Sequence, residues 1–284
     1  MSGALVLVAT PIGNLGDLSP RAVEVLRTAD HILCEDTRRT RALLSASSIP
    51  AAGRLSALHA HNEAARLETV MAALAEGRVV ALVSDAGTPG ISDPGVLLVR
   101  AAIERGIEVT TVPGPSAVLA ALAVSGLPTD RFVMEGFLPR KGSARTDRIA
   151  ALGGEVRTAV LFESPKRVAA TLEDLLGRLG PDRPVAVARE LTKVHEEVWR
   201  GTLAGAVAHY GAGELRGEVV IVLGGAEPEA PPDPTDAELR GAIAAALADG
   251  MSTRDAAGAV AELWGVPRRR VYELATRRAD DSSG

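Results

Sequence analysis

The fold of this chain is indicated most clearly by the stretch Val79-Val-Ala-Leu-Val-Ser-Asp-Ala-Gly-Thr-Pro-Gly-Ile-Ser-Asp-Pro-Gly95. An apolar, β-branched run passes directly into a loop of glycine, proline and small polar residues, and a helical pattern then runs from Pro94 to a glycine at Gly106. A buried strand followed by a loop and a crossover helix is typical of a parallel α/β sheet. The loop is longer than a tight strand-to-helix connection needs, which indicates a binding role.

The same alternation extends over the N-terminal part of the chain. Helical patterns begin at Pro20, Glu63, Pro94 and Pro115, each near a polar cap or with proline in the first turn. The apolar runs that we interpret as strands are residues 5–8, 31–34, 55–58, 79–83 and 107–112. We therefore predict an N-terminal α/β lobe with a mostly parallel sheet over residues 1–127.

A second series of strands follows, at residues 132–137, 158–162, 185–189, 197–203 and 218–223. The last three are separated by short gaps, which favours antiparallel pairing between them. The sequence thus predicts a C-terminal α/β lobe with a mixed sheet over residues 128–225.

The end of the chain has a different composition. Residues 226–235 are acidic and rich in proline, as in a semi-rigid linker. Residues 236–284 then show three helical patterns, and a turn at Gly265 gives the last two the spacing of a helix-turn-helix unit. The last helix begins with Arg268-Arg-Arg270 and ends with Arg277-Arg278, where a helix that reads nucleic acid would carry its charge. A small helical bundle with merely solvated arginines fits the pattern equally well.

Composition narrows the class of protein. The 284 residues with 46 % apolar content suffice for two domains. The single cysteine, Cys34, excludes an internal disulfide and a zinc site built on several thiolates, so we expect a cytoplasmic protein with Cys34 as a buried apolar residue rather than a nucleophile. A net charge of −5 and 2 % aromatic residues argue against a uniformly positive surface and against base stacking on exposed rings.

Three glycine- and proline-rich loops follow strands of the first sheet, at residues 10–17, 84–95 and 113–116. In a parallel sheet these loops lie at the carboxyl edge, where ligands bind, so we expect them to form one site. Neither a dinucleotide fingerprint nor a phosphate-binding P-loop is present. The alternative interpretation is ordinary turn chemistry, since Gly and Pro occur in turns everywhere.

Charged residues follow the second and third strands at the same edge. They are Glu35-Asp-Thr-Arg-Arg39 and His59-Ala-His-Asn-Glu63. No further His or Cys at a suitable spacing supports a metal site, so we predict none. Substrate contact, or capping of a helix by Asn62, is the expectation for the second group.

Lysine is rare among the 31 basic residues and occurs only at Lys141, Lys166 and Lys193, all in polar segments of the second lobe. Drift toward arginine would spare lysine where a compact, flexible ammonium group matters, although survival by chance explains three events as well. Residues 140–148 are basic and contain Gly and Ser. We expect them to form a mobile loop that closes over a polyanion.

Taken together, these motifs closely resemble the tetrapyrrole-methylase superfamily and, within it, the enzymes that methylate a cytidine ribose of small-subunit ribosomal RNA at the 2′ oxygen. The resemblance covers essentially the whole chain. It rests on residues 10–17, 35–38, 61–63, 84–89, 113–115, 126–128, 135–139 and 188–193.

The resemblance implies a two-lobed fold of the tetrapyrrole-methylase type and a homodimeric methyltransferase that uses S-adenosyl-L-methionine. It implies that this cofactor binds between the lobes. Matching positions predict cofactor contacts at Pro11, Ile12, Asp85, Gly87, Thr88, Ser116, Ala117, Phe162, Ala188 and Glu218.

For the transfer itself, the site must mainly align the donor with a hydroxyl group, and a base would help because a ribose hydroxyl is a poor nucleophile. We assign Glu35, Asp36 and Lys193 to the catalytic group. The expected contacts to RNA are Arg38, His61, Asn62, Glu63, Arg140, Lys141, Lys166 and Arg189. The alternative for Glu35 with Arg38 is a partly exposed ion pair of little consequence.

Two other functions compete with methylation of ribosomal RNA. The same scaffold could methylate a tetrapyrrole precursor, although such a ligand needs neither the basic segment 140–148 nor the arginine-rich tail. The chain could instead be a transcriptional regulator that reads DNA through the helix-turn-helix unit and senses a ligand with the α/β lobes.

Overall fold

The computed structural model describes residues 3–51, 53–211, 215–227 and 233–281, without the side chains of 277–281. The chain divides into two compact units, Met1–Glu227 and Pro228–Gly284. Of the predicted linker 226–235, residues 228–232 lie outside the described part. Within the described residues, no helix is long and apolar enough to cross a membrane.

The first sheet has five parallel strands in the order β3-β2-β4-β1-β5. The strands are β1 (Ala4–Val8), β2 (His31–Cys34), β3 (Leu55–Ala57), β4 (Val79–Val83) and β5 (Glu108–Val112). The helices between and after them are α1 (Pro20–Thr28), α2 (Thr37–Ala46), α3 (Glu63–Ala75), α4 (Val96–Glu104) and α5 (Ala117–Ser125). The chain continues from β1 to β2 on one side of the neighbouring strands β1 and β4, and from β4 to β5 on the other side. The carboxyl ends of β1 and β4 therefore form a topological switch point.

Local sequence explains where these elements begin and end. The Ser19 side chain accepts a hydrogen bond from the Ala22 amide and Pro20 occupies the first turn, so α1 begins there. Helix α5 ends at Gly126, whose φ of 77° is the left-handed conformation that glycine adopts readily. Apolar residues on both faces of the central strands, such as Val8 and Leu82, are fully buried between helices.

The second sheet has five strands in the order β6-β7-β10-β8-β9 and is mixed, as predicted. Strands β6 (Phe132–Phe137) and β7 (Thr158–Glu163) are parallel, whereas β8 (Pro184–Arg189), β9 (Glu197–Thr202) and β10 (Val219–Leu223) pair antiparallel to their neighbours. The accompanying helices are α6 (Ser143–Gly153), α7 (Val168–Leu179) and α8 (Leu203–Tyr210), with a short 3-10 helix at Pro165–Arg167.

Helix α5 joins the two sheets into one unit. Its residues Val118, Ala121 and Leu122 belong to the same buried cluster as Val220 and Ala188 of the second sheet. The carboxyl edge of the first sheet therefore faces the second sheet directly. The lobe limits 1–127 and 128–225 remain our proposal for subdividing this unit.

The C-terminal unit contains helices α9 (Asp236–Ala248), α10 (Thr253–Trp264) and α11 (Arg268–Asp281). Thr235 and Glu238 form a reciprocal capping box at the start of α9, and Gly265 ends α10 in the left-handed conformation. Leu239, Ile243, Val260 and Val271 form its core.

Several helices were not predicted from the sequence. Residues 143–153 form α6, so only the first part of the segment 140–148, expected to be a mobile loop, is a loop. Two of its basic residues are paired with acids of the same lobe, Arg145 with Asp174 and Arg148 with Glu135. The basic residues of this segment without an acidic partner in the described structure are therefore Arg140 and Lys141, at its start.

Candidate active site

The three glycine- and proline-rich loops meet at the switch point, as expected. The backbone of Thr10 pairs with that of Gly87 through two hydrogen bonds of 2.9 and 3.0 Å. The Thr10 hydroxyl donates to the Ser84 carbonyl (3.2 Å), and the Ser84 hydroxyl donates to the Gly87 carbonyl (3.1 Å). The loops after β1 and β4 thus form one hydrogen-bonded layer.

The loop after β5 joins this layer. The Thr88 hydroxyl donates to the Pro115 carbonyl at 3.2 Å, and Ser116 caps α5 by accepting from the Leu119 amide at 3.4 Å. Gly87 has a φ of +91°, and a Cβ atom on it would lie 3.5 Å from the Ile12 side chain. This distance is ordinary van der Waals contact, so glycine is favoured at this position by its backbone conformation rather than by lack of space.

A cavity of about 370 Å³ lies between these loops and the second sheet. This size is within the range of small-molecule sites. Its walls combine apolar side chains with a few carboxylates and hydroxyl groups. The lining residues are Ile12, Asp85, Ala86, Gly87, Thr88, Ile91, Ser92, Asp93, Ser116, Ala117, Val118, Phe137, Phe162, Glu163, Ser164, Pro165, Gly217, Glu218, Val219 and Val220.

Eight of the ten expected cofactor contacts line this cavity, namely Ile12, Asp85, Gly87, Thr88, Ser116, Ala117, Phe162 and Glu218. Ala188 does not, because it is fully buried in the cluster between the lobes, paired with Val220. Pro11 is half-buried beside the cavity but is not one of its lining residues. The cofactor contacts expected at these two positions therefore stay a prediction.

Sequence reasoning missed several residues of the second wall. The rings of Phe137 and Phe162 are 5.5 Å apart, and Phe137 is 61 % exposed. Their planes are tilted by 50°, and together the two rings form an apolar, aromatic part of the cavity wall that suits an aromatic ligand. Phe162 was predicted as a cofactor contact, whereas Phe137 was missed, although the chain has three phenylalanines. The low number of phenylalanines in the sequence could have drawn attention to these positions.

Asp93 is the main acidic residue that sequence reasoning left unassigned. Partial burial, together with the nearby Glu35 carboxylate, raises the pKa of Asp93 to about 6, although a hydrogen bond to Ser84 acts in the opposite direction. A carboxylate with this pKa at a cavity wall is suited to proton transfer near neutral pH.

Asp36 is a poor candidate for the catalytic role expected of it. Its side chain caps α2 and holds Arg38 at 2.7 Å, and hydrogen bonds from the Arg38 side chain and backbone keep the pKa of Asp36 well below its usual range. A carboxylate this acidic accepts protons poorly. Its backbone amide instead donates to Asp85 at 2.9 Å and so orients that cavity residue. Glu35 is exposed beside it and contributes its charge to Asp93.

Lys193 bridges two carboxylates and reaches the edge of the cavity. Its ammonium lies 2.8 Å from Glu190 and 3.0 Å from Glu218. The neighbouring Thr192 accepts a hydrogen bond from the Asn14 amide at 3.1 Å. This segment of the second lobe therefore covers the loop after β1.

The expected RNA contacts at residues 61–63 are corrected in part. Glu63 is 6 % exposed and accepts hydrogen bonds from the Gly95 and Leu98 amides, both at 3.1 Å, so it caps α4 from inside the protein. The Asn62 side chain bonds to the His59 amide and the Ala57 carbonyl, and it does not cap α3 as expected. His61 is exposed but lies outside the cavity lining.

The remaining expected contacts fall into two groups. Arg140, Lys141 and Lys166 are exposed, with no ion-pair partner within the described residues, and Lys166 follows the cavity residue Pro165. Arg38 is exposed but pairs with Asp36, and Arg189 pairs with Glu197 at 2.8 Å. The first group is available to a ligand, whereas the second is already engaged.

Comparison with known proteins decides the family. Residues 4–207, which run from β1 into α8, match the family of Tetrapyrrole (Corrin/Porphyrin) Methylases. The chain belongs to this family. Its C-terminal residues 233–279 match a second family, described as RsmI C-terminal HTH domain.

Two similar proteins that match this chain over nearly its full length carry the same name. The chain is 48 % identical to Ribosomal RNA small subunit methyltransferase I of Synechocystis sp., over 96 % of this chain and 97 % of that protein. It is 46 % identical to the protein of the same name from Mycobacterium tuberculosis, over 100 % and 98 % of the two chains. The protein is accordingly a methyltransferase that uses S-adenosyl-L-methionine.

Solved structures agree on the fold. The uroporphyrin-III-C-methyltransferase from Thermus thermophilus is similar with a TM-score of 0.54 and 25 % identity, covering 78 % of this chain and 94 % of that one. Diphthine synthase has a TM-score of 0.61 at 17 % identity, covering 78 % and 90 %. The predicted tetrapyrrole-methylase fold is confirmed.

Proposed function

We propose that this methyltransferase acts on the 2′-hydroxyl of a cytidine ribose in small-subunit ribosomal RNA. The observation that carries the proposal is the cavity between the two sheets with exposed cations close to its second wall. The full-length similarity to proteins named Ribosomal RNA small subunit methyltransferase I supports the choice of RNA.

The residues of the cavity fit the methyl donor. Asp85, Thr88 and Ser116 would hold its charged methionyl end, and the carboxylates of Asp93 and Glu218 suit a cationic sulfonium. Phe137 and Phe162 would face its purine. When bound, the donor supplies an electrophilic methyl group.

The protein's part in the reaction is mainly alignment. The hydrogen-bonded loops at Thr10, Gly87 and Pro115 are preformed, so little order has to be gained on binding. We assign the removal of the hydroxyl proton to Asp93, with Glu35 raising its basicity by charge repulsion. The hydroxyl proton would pass to the Asp93 carboxylate as the oxygen–carbon bond forms and the sulfur–carbon bond of the donor breaks, so that the donor would leave as the neutral thioether S-adenosylhomocysteine.

The RNA would be held by cations outside the cavity. Arg140, Lys141 and Lys166 are exposed and follow cavity-lining or cavity-adjacent segments. Contacts of this kind position a nucleic acid through its phosphates. They allow an acidic chain to bind RNA locally despite its net charge of −5.

The C-terminal unit would supply a second contact with RNA. Arg254, Arg268, Arg269 and Tyr272 line an open concave surface on α10 and α11, whereas Arg270 is turned inward to Asp236 at 2.9 Å. Arg269 pairs with Glu273 at 2.9 Å, so the guanidinium groups of Arg254 and Arg268 beside the exposed ring are the ones that suit a phosphate backbone with a stacked base. Of the tail arginines expected to carry charge, the side chains of Arg277 and Arg278 lie outside the described residues.

We further propose a cytoplasmic homodimer. Large apolar side chains are exposed on α4 and near it, including Val96 (55 %), Leu97 (47 %) and Ile103 (62 %). Such a surface is more typical of a covered interface than of a monomer. Sedimentation equilibrium of the chain and of a Leu97→Glu, Ile103→Glu variant tests this, with a dimer expected only for the first.

A tetrapyrrole substrate is the alternative that the same fold permits. The similarity to the uroporphyrin enzyme covers 78 % of this chain, whereas the ribosomal RNA enzymes match 96 to 100 % of it. The match to the tetrapyrrole methylases ends at residue 207, and the C-terminal unit with its arginines matches the RsmI C-terminal HTH domain at residues 233–279. This difference favours RNA.

One experiment tests the proposal directly. The purified chain is incubated with methyl-labelled S-adenosylmethionine and small ribosomal subunits that lack modifications, and the label is mapped by nuclease digestion and mass spectrometry. Label on a cytidine ribose is expected. Label on a base would refute the assigned atom, and label only on an added tetrapyrrole precursor would refute the substrate.

A further inference from the structure

A buried carboxylate connects the wall of the cavity to the basic loop after β6. Glu163, 3 % exposed at the end of β7, lines the cavity and accepts a hydrogen bond from the Ser164 amide at 2.8 Å. Its second oxygen accepts from the Thr171 hydroxyl at 2.7 Å and lies 3.3 Å from Arg167. Glu163 is thus fully engaged on the side away from the cavity.

Two arginines extend this network to the loop. Arg145 donates to the Thr171 hydroxyl (3.0 Å), to Asp174 (2.8 Å) and to the Pro139 carbonyl (3.2 Å). Arg167 donates to the carbonyls of Leu138 (3.2 Å) and Pro139 (3.5 Å). Both therefore hold the backbone immediately before Arg140 and Lys141.

The burial of these groups shows that they do not face the RNA themselves. The side chain of Arg145 is 11 % exposed and that of Arg167 is 27 % exposed, while Thr171 is 1 % exposed. None of the three lines the cavity. A charged hydrogen-bond network buried to this degree fixes geometry, because each member loses its partners if the loop moves.

We infer that Arg145 and Arg167 are positioning residues that hold Arg140 and Lys141 at a fixed place relative to the donor cavity, Arg145 being anchored on Glu163 through Thr171 and Arg167 being paired with Glu163 directly. The inference rests on the proposed function, since it assumes that these two cations contact RNA phosphates. This role gives a reason for the hydrogen-bonded connection between Glu163, which borders the cavity, and the loop that contains Arg140 and Lys141.

The test uses the full chain with Thr171→Val, which keeps the shape of the side chain and removes the hydroxyl between Arg145 and Glu163. Thr158→Val is the matched control, because Thr158 is a buried threonine of β7, 2 % exposed, whose hydroxyl bonds instead to the Pro128 carbonyl at 2.6 Å. Thr171→Ser restores the hydroxyl. Arg167→Lys is a second, independent variant, which keeps the positive charge but loses the planar guanidinium group that reaches several acceptors at once.

Three quantities are measured: the KM for small ribosomal subunits, the salt dependence of RNA affinity and the affinity for S-adenosylhomocysteine. For Thr171→Val and Arg167→Lys we expect KM to rise about tenfold, as for loss of one charge-assisted hydrogen bond, with donor-product affinity unchanged within about twofold. The slope of log affinity against log salt should fall in magnitude by about one, because phosphate contacts are lost. Thr171→Ser should return all values toward the wild type.

An unchanged salt slope, or effects equal to those of Thr158→Val, would overturn the inference while leaving RNA methylation intact. Failure of the wild-type chain itself to bind or methylate RNA would overturn the proposed function and this inference with it. The two failures are therefore distinguishable.

Discussion

The ammonium group of Lys193 lies 3.0 Å from a carboxylate oxygen of Glu218 at the edge of the cavity. The same ammonium holds Glu190 at 2.8 Å, and Glu190 also accepts from the Glu218 amide at 2.9 Å. Although burial acts to lower it, hydrogen bonds to these two acids raise the pKa of Lys193. Lys193 therefore stays charged and fixes a cavity wall, which differs from the catalytic role expected of it.

Replacing Lys193 by Met should weaken binding of the donor. Without the ammonium, the carboxylates of Glu190 and Glu218 repel each other, and the Glu218 side chain is no longer held at the cavity wall. We expect about a tenfold loss of affinity for S-adenosylmethionine by calorimetry, as for one lost charged hydrogen bond. Lys166→Met, which removes an exposed lysine, is the control and should leave donor affinity unchanged. Equal affinities in both variants would contradict this assignment.

The pH dependence of methyl transfer should report on Asp93. If its carboxylate accepts the proton, kcat/KM falls as pH drops below about 6, where Asp93 becomes protonated. Asp93→Asn should abolish this acidic limb together with most activity. Glu35→Gln should retain activity and shift the limb to lower pH, because the Glu35 charge helps to raise the pKa of Asp93. Loss of all activity in Glu35→Gln would instead make Glu35 the base.

Gly87 and Gly90 give a matched pair in one loop. Both have positive φ, +91° and +81°, so alanine at either position costs about 1 kcal/mol in backbone strain. Gly87 lines the cavity, so a methyl group there would add to the cavity wall in ordinary contact with Ile12, whereas Gly90 is not a lining residue and a Cβ there meets nothing within 4 Å. Both variants should lose similar stability in urea unfolding, and only Gly87→Ala should also lose donor affinity. A similar loss of affinity in Gly90→Ala would show that strain alone is responsible.

Glu63 should matter for stability rather than for RNA. Glu63→Ala leaves the buried amides of Gly95 and Leu98 without an acceptor, which should cost about 3 kcal/mol of unfolding free energy. Glu68→Ala removes a carboxylate that is 77 % exposed beside Arg105, and it should change stability by less than about 0.5 kcal/mol. Chemical denaturation measures both. A Glu63→Ala protein of normal stability with weakened RNA binding would restore the original assignment.

The sheets and the meeting of the three loops could be predicted because local sequence determines them. The strands are apolar runs bounded by glycine and proline, and parallel strands place their following loops at one edge. Helices α2, α6, α7 and α8 were missed, since their stability depends on burial against sheets whose positions the sequence does not state.

The individual roles of polar residues were harder to predict. Glu63 and Glu35 look alike as acids that follow strands, but one is buried as a helix cap and the other is exposed. The difference arises from packing of the 84–95 loop against α3, a long-range contact. Asp93 was overlooked for the same reason, because its raised pKa depends on burial and on Glu35, which is distant in sequence.

Binding of S-adenosylmethionine in the cavity between the two sheets is tested by calorimetric titration into the intact protein, with and without a residue that fills the cavity. Ala117 lines the cavity at the start of α5 and is only partly buried, so Ala117→Trp should fill the space while the chain stays folded. We expect saturable binding by the unmodified chain and none by this variant. Equal binding by both proteins, or no binding by the unmodified chain, would contradict this expectation.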